Sequence, residues 1–325
     1  MRIGIAVVYV VSERNGPLLD LHLRQIEKNT DHPYTIYACV NELLPQSLGK
    51  LQENPRVKIC PCETYPWGRA LWRRGTVSAA PRQSAVFESK FEHSWYLEQL
   101  IETALEDGVS HIAMFHVDSF PVRRGWDTEL MSKLSDRCVL AGVMRNPERD
   151  RKPLTAGMLF PREFYLQYQP RLLLAPEELD SEDYRRFCAS CPHLDDSGVG
   201  YAFKMFREGL TWYPLVRSNL GGRHAQFASV HGDLIFHLHA TTFIERTKTP
   251  GLTVRLSQRQ GLLGAAAKVA RAVLPDRIRQ KIRDRIMPLL KTKCVSMDLQ
   301  AWEQERRRLF ENPEAYLTHL RTGVP

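Results

Sequence analysis

Three apolar runs, Ile3 to Val11, Tyr34 to Val40 and Ile112 to Val117, constrain the fold of this chain more than any other feature. Each is nearly continuous rather than alternating, the pattern of a strand covered on both faces of a mostly parallel sheet. Helical spacing lies between them. Residues 16–29 place Leu18, Leu19, His22, Leu23 and Ile26 on one face, with Pro17 near the start. His93-Ser94 opens a second helical stretch that carries Tyr96, Leu97, Leu100, Ile101 and Ala104 and ends before Gly108. A short strand is expected at Val57 to Cys60, and residues 64–91, rich in Trp, Arg, Pro and Ser, read as a long irregular connection. Strands and helices alternating in this way predict right-handed βαβ units and a parallel sheet.

Further along, the pattern predicts a helix from Trp126 to about Leu134, a strand at Cys138 to Met144 and an extended segment at Thr155 to Phe160. A helical insertion follows over 161–190, then a helix capped by Asp195 or Asp196 that ends near Gly209, and a strand at Asp233 to Ala240. The fold class is therefore α/β. A single Rossmann-like domain, residues 1–245, holds a mixed, mainly parallel central sheet flanked by helices, and residues 246–325 form a C-terminal helical extension.

With 43% hydrophobic residues among 325, the chain can bury a sizeable core and is not disordered. The first apolar run is too short to cross a bilayer and lacks the flanks of a signal peptide, so a cytoplasmic chain is expected. Seven cysteines, an odd number, fit reduced thiols, and the close pairs Cys60/Cys62 and Cys188/Cys191 are weak evidence for zinc. The net charge of +8 is unevenly spread: residues 246–293 hold thirteen Lys or Arg against two Asp, whereas residues 1–245 hold 28 basic and 30 acidic side chains. Within 262–293, Ile278, Ile282, Ile286 and Leu290 share a helical face ringed by Arg277, Arg279, Lys281, Arg283 and Arg285. Such a helix can lie on an anionic membrane surface, or pack its apolar face on the domain or on a second subunit. Nucleic acid is not expected as a partner, because 246–293 contain no Phe, Tyr or Trp for base stacking.

The apolar run at 112–117 ends in His116-Val117-Asp118, followed by Pro121 and Gly125-Trp126. Ligands of open α/β sheets bind beyond the carboxyl ends of the strands, so these polar residues stand where chemistry is done, although Asp118 would also suit a turn or a helix cap. His237 and His239 would share one face of a late strand. Together with Thr30-Asp31-His32-Pro33-Tyr34, the Thr155 to Phe160 segment and Asp195-Asp196-Ser197-Gly198, this order of motifs resembles the nucleotide-sugar-dependent glycosyltransferases of the A-type fold, family 2 in particular, over residues 1–245.

The resemblance implies an inverting sugar transfer to an acceptor hydroxyl on a glycan or lipid-linked molecule, as in surface polysaccharide synthesis, by a cytoplasmic enzyme peripheral to the inner membrane face. Asp118 would hold Mn²⁺ or Mg²⁺ against the donor diphosphate, with His239 and His116 as further ligands. His116 stands where the family has a first aspartate, so the site carries less negative charge. Asp196, with Asp195 second, would be the general base. Ser12, Glu13, Asn41, Lys90, His93, His116 and Asp118 would contact the donor, and Ala156, Gly157 and Met158 would face the acceptor. Two other readings fit the residues: a nucleotide-sugar-binding or scaffold protein without catalysis, and a metal-dependent hydrolase built on the histidines.

Overall fold

A computed structural model describes residues 1–11, 16–65, 85–148, 150–193, 196–221, 227–239 and 300–324; the expected irregular connection in large part, and the basic helix at 262–293, lie outside the described residues. Seven strands form the central sheet: β1 (Ile3–Val11), β2 (Tyr34–Leu43), β3 (Val57–Ile59), β4 (His111–His116), β6 (Cys138–Asn146), β7 (Asp150–Pro161) and β8 (Thr211–Leu215), in the order β3-β2-β1-β4-β7-β6-β8. All neighbours are parallel except the pairs that β7 makes with β4 and β6. A second sheet of three short antiparallel strands, β5 (Ser119–Pro121), β10 (Ile235–His237) and β9 (Ser229–His231), branches off where β4 ends.

The continuous apolar runs become strands with two buried faces. Along β1, Ile3, Ile5, Val7, Tyr9 and Val11 enter one core while Ala6 and Val8 enter another, and along β4 Ala113 and Phe115 divide from Ile112 and Met114 in the same period of two. The first core is covered by helix α1 (Gly16–Asn29) through Leu18, Leu19, Leu21 and Ile26 and by helix α4 (Trp126–Met131) through Trp126 and Leu130. The second is covered by helix α3 (Ala85–Glu106) through Leu97, Leu100, Ile101 and Ala104.

The C-terminal helices, residues 300–311 and Pro313–Thr322, are not peripheral: Trp302, Leu309, Tyr316, Leu317 and Leu320 are buried in the first core. The Trp302 indole Nε1 donates to the His239 carbonyl at 3.1 Å, and the Leu320 carbonyl accepts from the amides of Leu220 and Gly221 at 2.9 and 3.1 Å. No helix among the described residues is long and apolar enough to cross a membrane.

Two expectations are corrected by the helices. α3 begins at Ala85 rather than at His93, and Phe91, two residues before His93, is already buried. His93 and Lys90 therefore lie within a helix and not at its positive N-terminus. The helix after Asp196, Val199–Arg207 (here α8), is capped by Gly198 at φ +91° with no side-chain cap; a Cβ at that glycine would sit 2.3 Å from the Pro153 carbonyl oxygen. Asp196 is thus not a helix cap.

Candidate functional site

The site forms where β4 stops and the chain crosses into the small sheet. Ser119 locks the turn: its Oγ accepts from the His116 amide at 2.8 Å and donates to the His116 carbonyl at 3.2 Å. One residue earlier, the Asp118 carbonyl receives the Leu238 amide at 2.9 Å, tying the turn to the end of β10. Pairing of β10 with β5 sets His237 opposite Ser119. Three ligand-bearing side chains from two sheets therefore converge by backbone geometry alone.

Among the described residues, His116, Asp118 and His237 are the one group of three potential metal ligands, their ligand atoms all within 4.8 Å of one another. Asp118 Oδ1 lies 3.9 Å from His116 Nδ1 and 3.6 Å from His237 Nε2. Donor atoms about 2.1 Å from a shared ion, at roughly 90–110°, stand about 3.0–3.4 Å apart, so inward shifts of about an ångström or less per side chain would close the set on a cation. Burial, reinforced by His93 and His237, holds His116 well below the ordinary imidazole range, and burial with His231 does the same for His237. Both rings are neutral at physiological pH, the state that offers a lone pair to a metal. His116 Nε2 is 2.9 Å from Thr155 Oγ1. Asp118 is 5% exposed and His237 6%, whereas the His116 side chain is 30% exposed and forms the open side of the group.

The third member of the group is His237 and not the expected His239. Alternation along a strand gave His237 and His239 one face, but β10 ends at His237 and the backbone turns at His239 with φ +68°. The two rings lie against each other, tilted by 33° with centroids 3.7 Å apart, and His237 Nε2 is the one 3.6 Å from Asp118.

Beside the histidines lies a charged network carried by the β6–β7 hairpin. Arg145 Nη2 contacts Asp196 Oδ2 at 2.8 Å and Arg145 Nη1 contacts Asp150 Oδ2 at 3.5 Å, while the fully buried Lys152 sits 3.4 Å from Asp150 Oδ1. Burial pushes the Asp196 carboxyl up, but Lys152 and Arg145 outweigh it and hold the group well below the usual carboxylate range. The Ser197 amide adds a hydrogen bond to Asp196 Oδ1 at 2.9 Å. The charge of Asp196 acts in the direction of raising the proton affinity of both His116 and His237, against the larger effect of burial.

Of the remaining expected donor contacts, the Asn41 side chain donates to Glu92 Oε1 at 3.1 Å at the carboxyl end of β2, and His93 meets His116 edge to face at 4.7 Å. Ser12, Glu13 and Asp195 lie outside the described residues, as does the side chain of Lys90. The expected acceptor segment is core instead: Ala156 and Met158 are wholly buried on opposite sides of the sheet, and a Cβ at Gly157 would meet Val143 and Ile235 at 2.8 and 2.9 Å.

The motif around Asp31 is a structural clasp at the opposite edge of the sheet. His32 Nδ1 and its amide bond Asp127 Oδ2 at 2.8 and 2.9 Å, and Trp126 Nε1 donates to Thr30 Oγ1 at 3.1 Å. Nor do the cysteine pairs meet: Cys60 and Cys62 lie in and against the second core, and Cys191 packs on a third cluster around Phe187. Thr155, Arg145, Asp150 and Lys152 escaped the sequence reading, since their approach to His116 and Asp196 depends on an antiparallel hairpin that local spacing does not announce.

No protein-family model matches the chain, and no curated protein matches it. Among solved structures the chain is similar to the mannosyltransferase PcManGT from Pyrobaculum calidifontis, in complex with GDP-Man and Mn²⁺, at 10% identity and a TM-score of 0.32 over 51% of this chain. That match spans 46% of the mannosyltransferase, under half of its length. The chain is also similar to A197 from STIV, at 12% identity and a TM-score of 0.33, over 73% of this chain and 94% of that one. Neither likeness assigns a role to a residue of this chain, whose site rests on its own geometry.

Proposed function

We propose that the chain is a glycosyltransferase that takes a sugar from a nucleotide-sugar donor, with His116, Asp118 and His237 holding a divalent cation at the donor diphosphate. The observation that carries this reading is the convergence of these three side chains at the carboxyl end of β4, next to the ionised Asp196. The cation would supply positive charge to the departing diphosphate. Two imidazoles and one carboxylate suit Mn²⁺ better than Mg²⁺, which prefers an all-oxygen shell. Asp196 serves as the base that takes the proton of the acceptor hydroxyl, in an inverting transfer; Arg145 keeps it ionised and fixes its direction, at the expense of basicity. Asn41 and His93 line the donor side, and a glycan or lipid-linked molecule is the acceptor. The basic stretch at 262–293 would bring the enzyme to an anionic, cytoplasmic membrane face.

Titration with UDP- and GDP-sugars, with and without Mn²⁺, tests the reading. Mn²⁺-dependent binding of one donor, with slow hydrolysis of its sugar, is the expected result; donor binding without turnover would leave a non-catalytic binding protein. Two histidines with a carboxylate are also the ligand set of hydrolytic zinc sites. Stoichiometric zinc in the purified protein and no affinity for nucleotide sugars would favour that second reading.

A further inference from the structure

Thr155 is 2% exposed and stands on β7 between two residues, Leu154 and Ala156, that pack into the first core on the other face. Its hydroxyl therefore projects from the opposite face, where its Oγ1 lies 2.9 Å from His116 Nε2. The other ring nitrogen, Nδ1, is the atom turned toward Asp118. A neutral imidazole has one N–H and one lone pair, so what the Nε2 atom does decides what Nδ1 can offer. When Nε2–H donates to the threonine oxygen, the Nδ1 lone pair faces the ligand group; when the proton sits on Nδ1, that position is blocked. The His116 ring is flanked edge to face by those of His93 and His237, with centroids 4.7 and 5.5 Å away.

We propose that Thr155 is a positioning residue that holds His116 in its Nε2–H tautomer and so keeps Nδ1 available to a divalent cation, an inference that rests on the metal reading of the His116, Asp118 and His237 group. Such outer partners of metal-bound histidines typically govern affinity by about 10- to 100-fold. The hydroxyl is the only difference that matters here. Valine keeps the volume and branching of threonine and cannot accept a hydrogen bond, whereas serine keeps the acceptor and loses only a methyl group.

The test uses the full chain, with Mn²⁺ alone as probe and histidine-ring ¹⁵N spectra of the metal-free protein as a second readout. The wild type is expected to show the Nε2–H form of His116. Thr155→Val should mix the tautomers and weaken Mn²⁺ binding by about 10- to 100-fold, while Thr155→Ser should retain both properties, and matching circular dichroism would establish that all three chains are folded. Unchanged Mn²⁺ affinity and tautomer in Thr155→Val, or an Nδ1–H ring in the wild type, would overturn the inference. A wild type that shows the Nε2–H form but binds no Mn²⁺ would instead overturn the metal reading, and with it the purpose assigned to Thr155.

Discussion

Asp118, proposed as a metal ligand, shows how such a residue can work against the fold that holds it. Its side chain is almost buried, and the imidazoles of His237 and His116 stand 3.6 and 3.9 Å from its Oδ1, beyond hydrogen-bond distance. A buried charge left in this state costs on the order of 1–3 kcal/mol or more. Asp118→Asn is therefore expected to raise the melting temperature of the metal-free protein and to abolish Mn²⁺ binding, as read by thermal melts and calorimetric titration. A variant that is less stable and still binds Mn²⁺ would remove Asp118 from the site. Asp196 differs in that Arg145, Lys152 and the Ser197 amide satisfy it. Asp196→Asn should leave donor affinity within a few-fold of wild type and lower transfer by about 10²- to 10⁴-fold, the usual contribution of a general base. Near-normal turnover would assign the proton to another group. His116 and Asp118 were legible in the sequence because an apolar run that ends in polar residues is a local signal. His237 was not separable from His239 in that way, since strand alternation says nothing about a positive φ at residue 239. Asp196 could be seen but not its state, which depends on a lysine and an arginine from another strand pair.

At the level of elements, the β9–β10 hairpin that delivers His237 is held from outside by the C-terminal helix Pro313–Thr322. Asp233, in the hairpin turn at φ +58°, receives Arg321 Nε at 2.7 Å and Nη2 at 3.0 Å, and Arg123 Nη1 from the other side at 3.3 Å. The Arg321 hydrogen bonds, with the charges of Arg321 and Arg123, hold the Asp233 carboxyl below its ordinary range. A carboxyl with a depressed folded-state pKa stabilises the fold above the unfolded value of about 3.9, and that contribution is lost as the pH falls through the folded value. Partial exposure and salt screening keep it small, about 1 kcal/mol or less. Asp233→Asn should thus lower stability at pH 7 by that amount and flatten the acid limb of stability below pH 4, in urea melts across pH 3 to 7. A limb as steep as that of the wild type would deny the link. The strands themselves were legible from their apolar runs. The length of α3 was not, because its first turns precede the clear helical spacing that begins at Tyr96.

Over the whole molecule, the sequence divides by charge into an evenly balanced part and a basic tail, and a boundary at residue 245 follows naturally from that division. Packing follows a different line. Trp302, Leu309, Tyr316, Leu317 and Leu320 share one buried cluster with Ile3, Phe115 and Trp126, and Glu314 accepts hydrogen bonds from Gln25 and Lys28 of α1 at 2.9 and 2.8 Å. Charge patterning reports what faces solvent, and it cannot reveal that a few apolar residues beyond the basic stretch return to the first core. Burial of one large apolar side chain stabilises by about 1.5–3 kcal/mol, so these five contribute on the order of 10 kcal/mol, comparable with the entire 5–15 kcal/mol by which a typical domain is stable. A chain ending at residue 245 should consequently fail to fold cooperatively: it would bind hydrophobic dyes, lose near-ultraviolet circular dichroism and show no sharp melting transition. Restoring residues 300–325 as a separate peptide would leave the ordering cost of docking to be met at each encounter. Joining them to residue 245 through a flexible linker should recover the melt, because the tether raises their local concentration to the millimolar range. Recovery with the linker would mean that the 246–299 stretch is dispensable for folding and free to serve a separate task. A sharp transition in the 1–245 chain alone would instead show that the helical pair is an accessory to a core already complete without it.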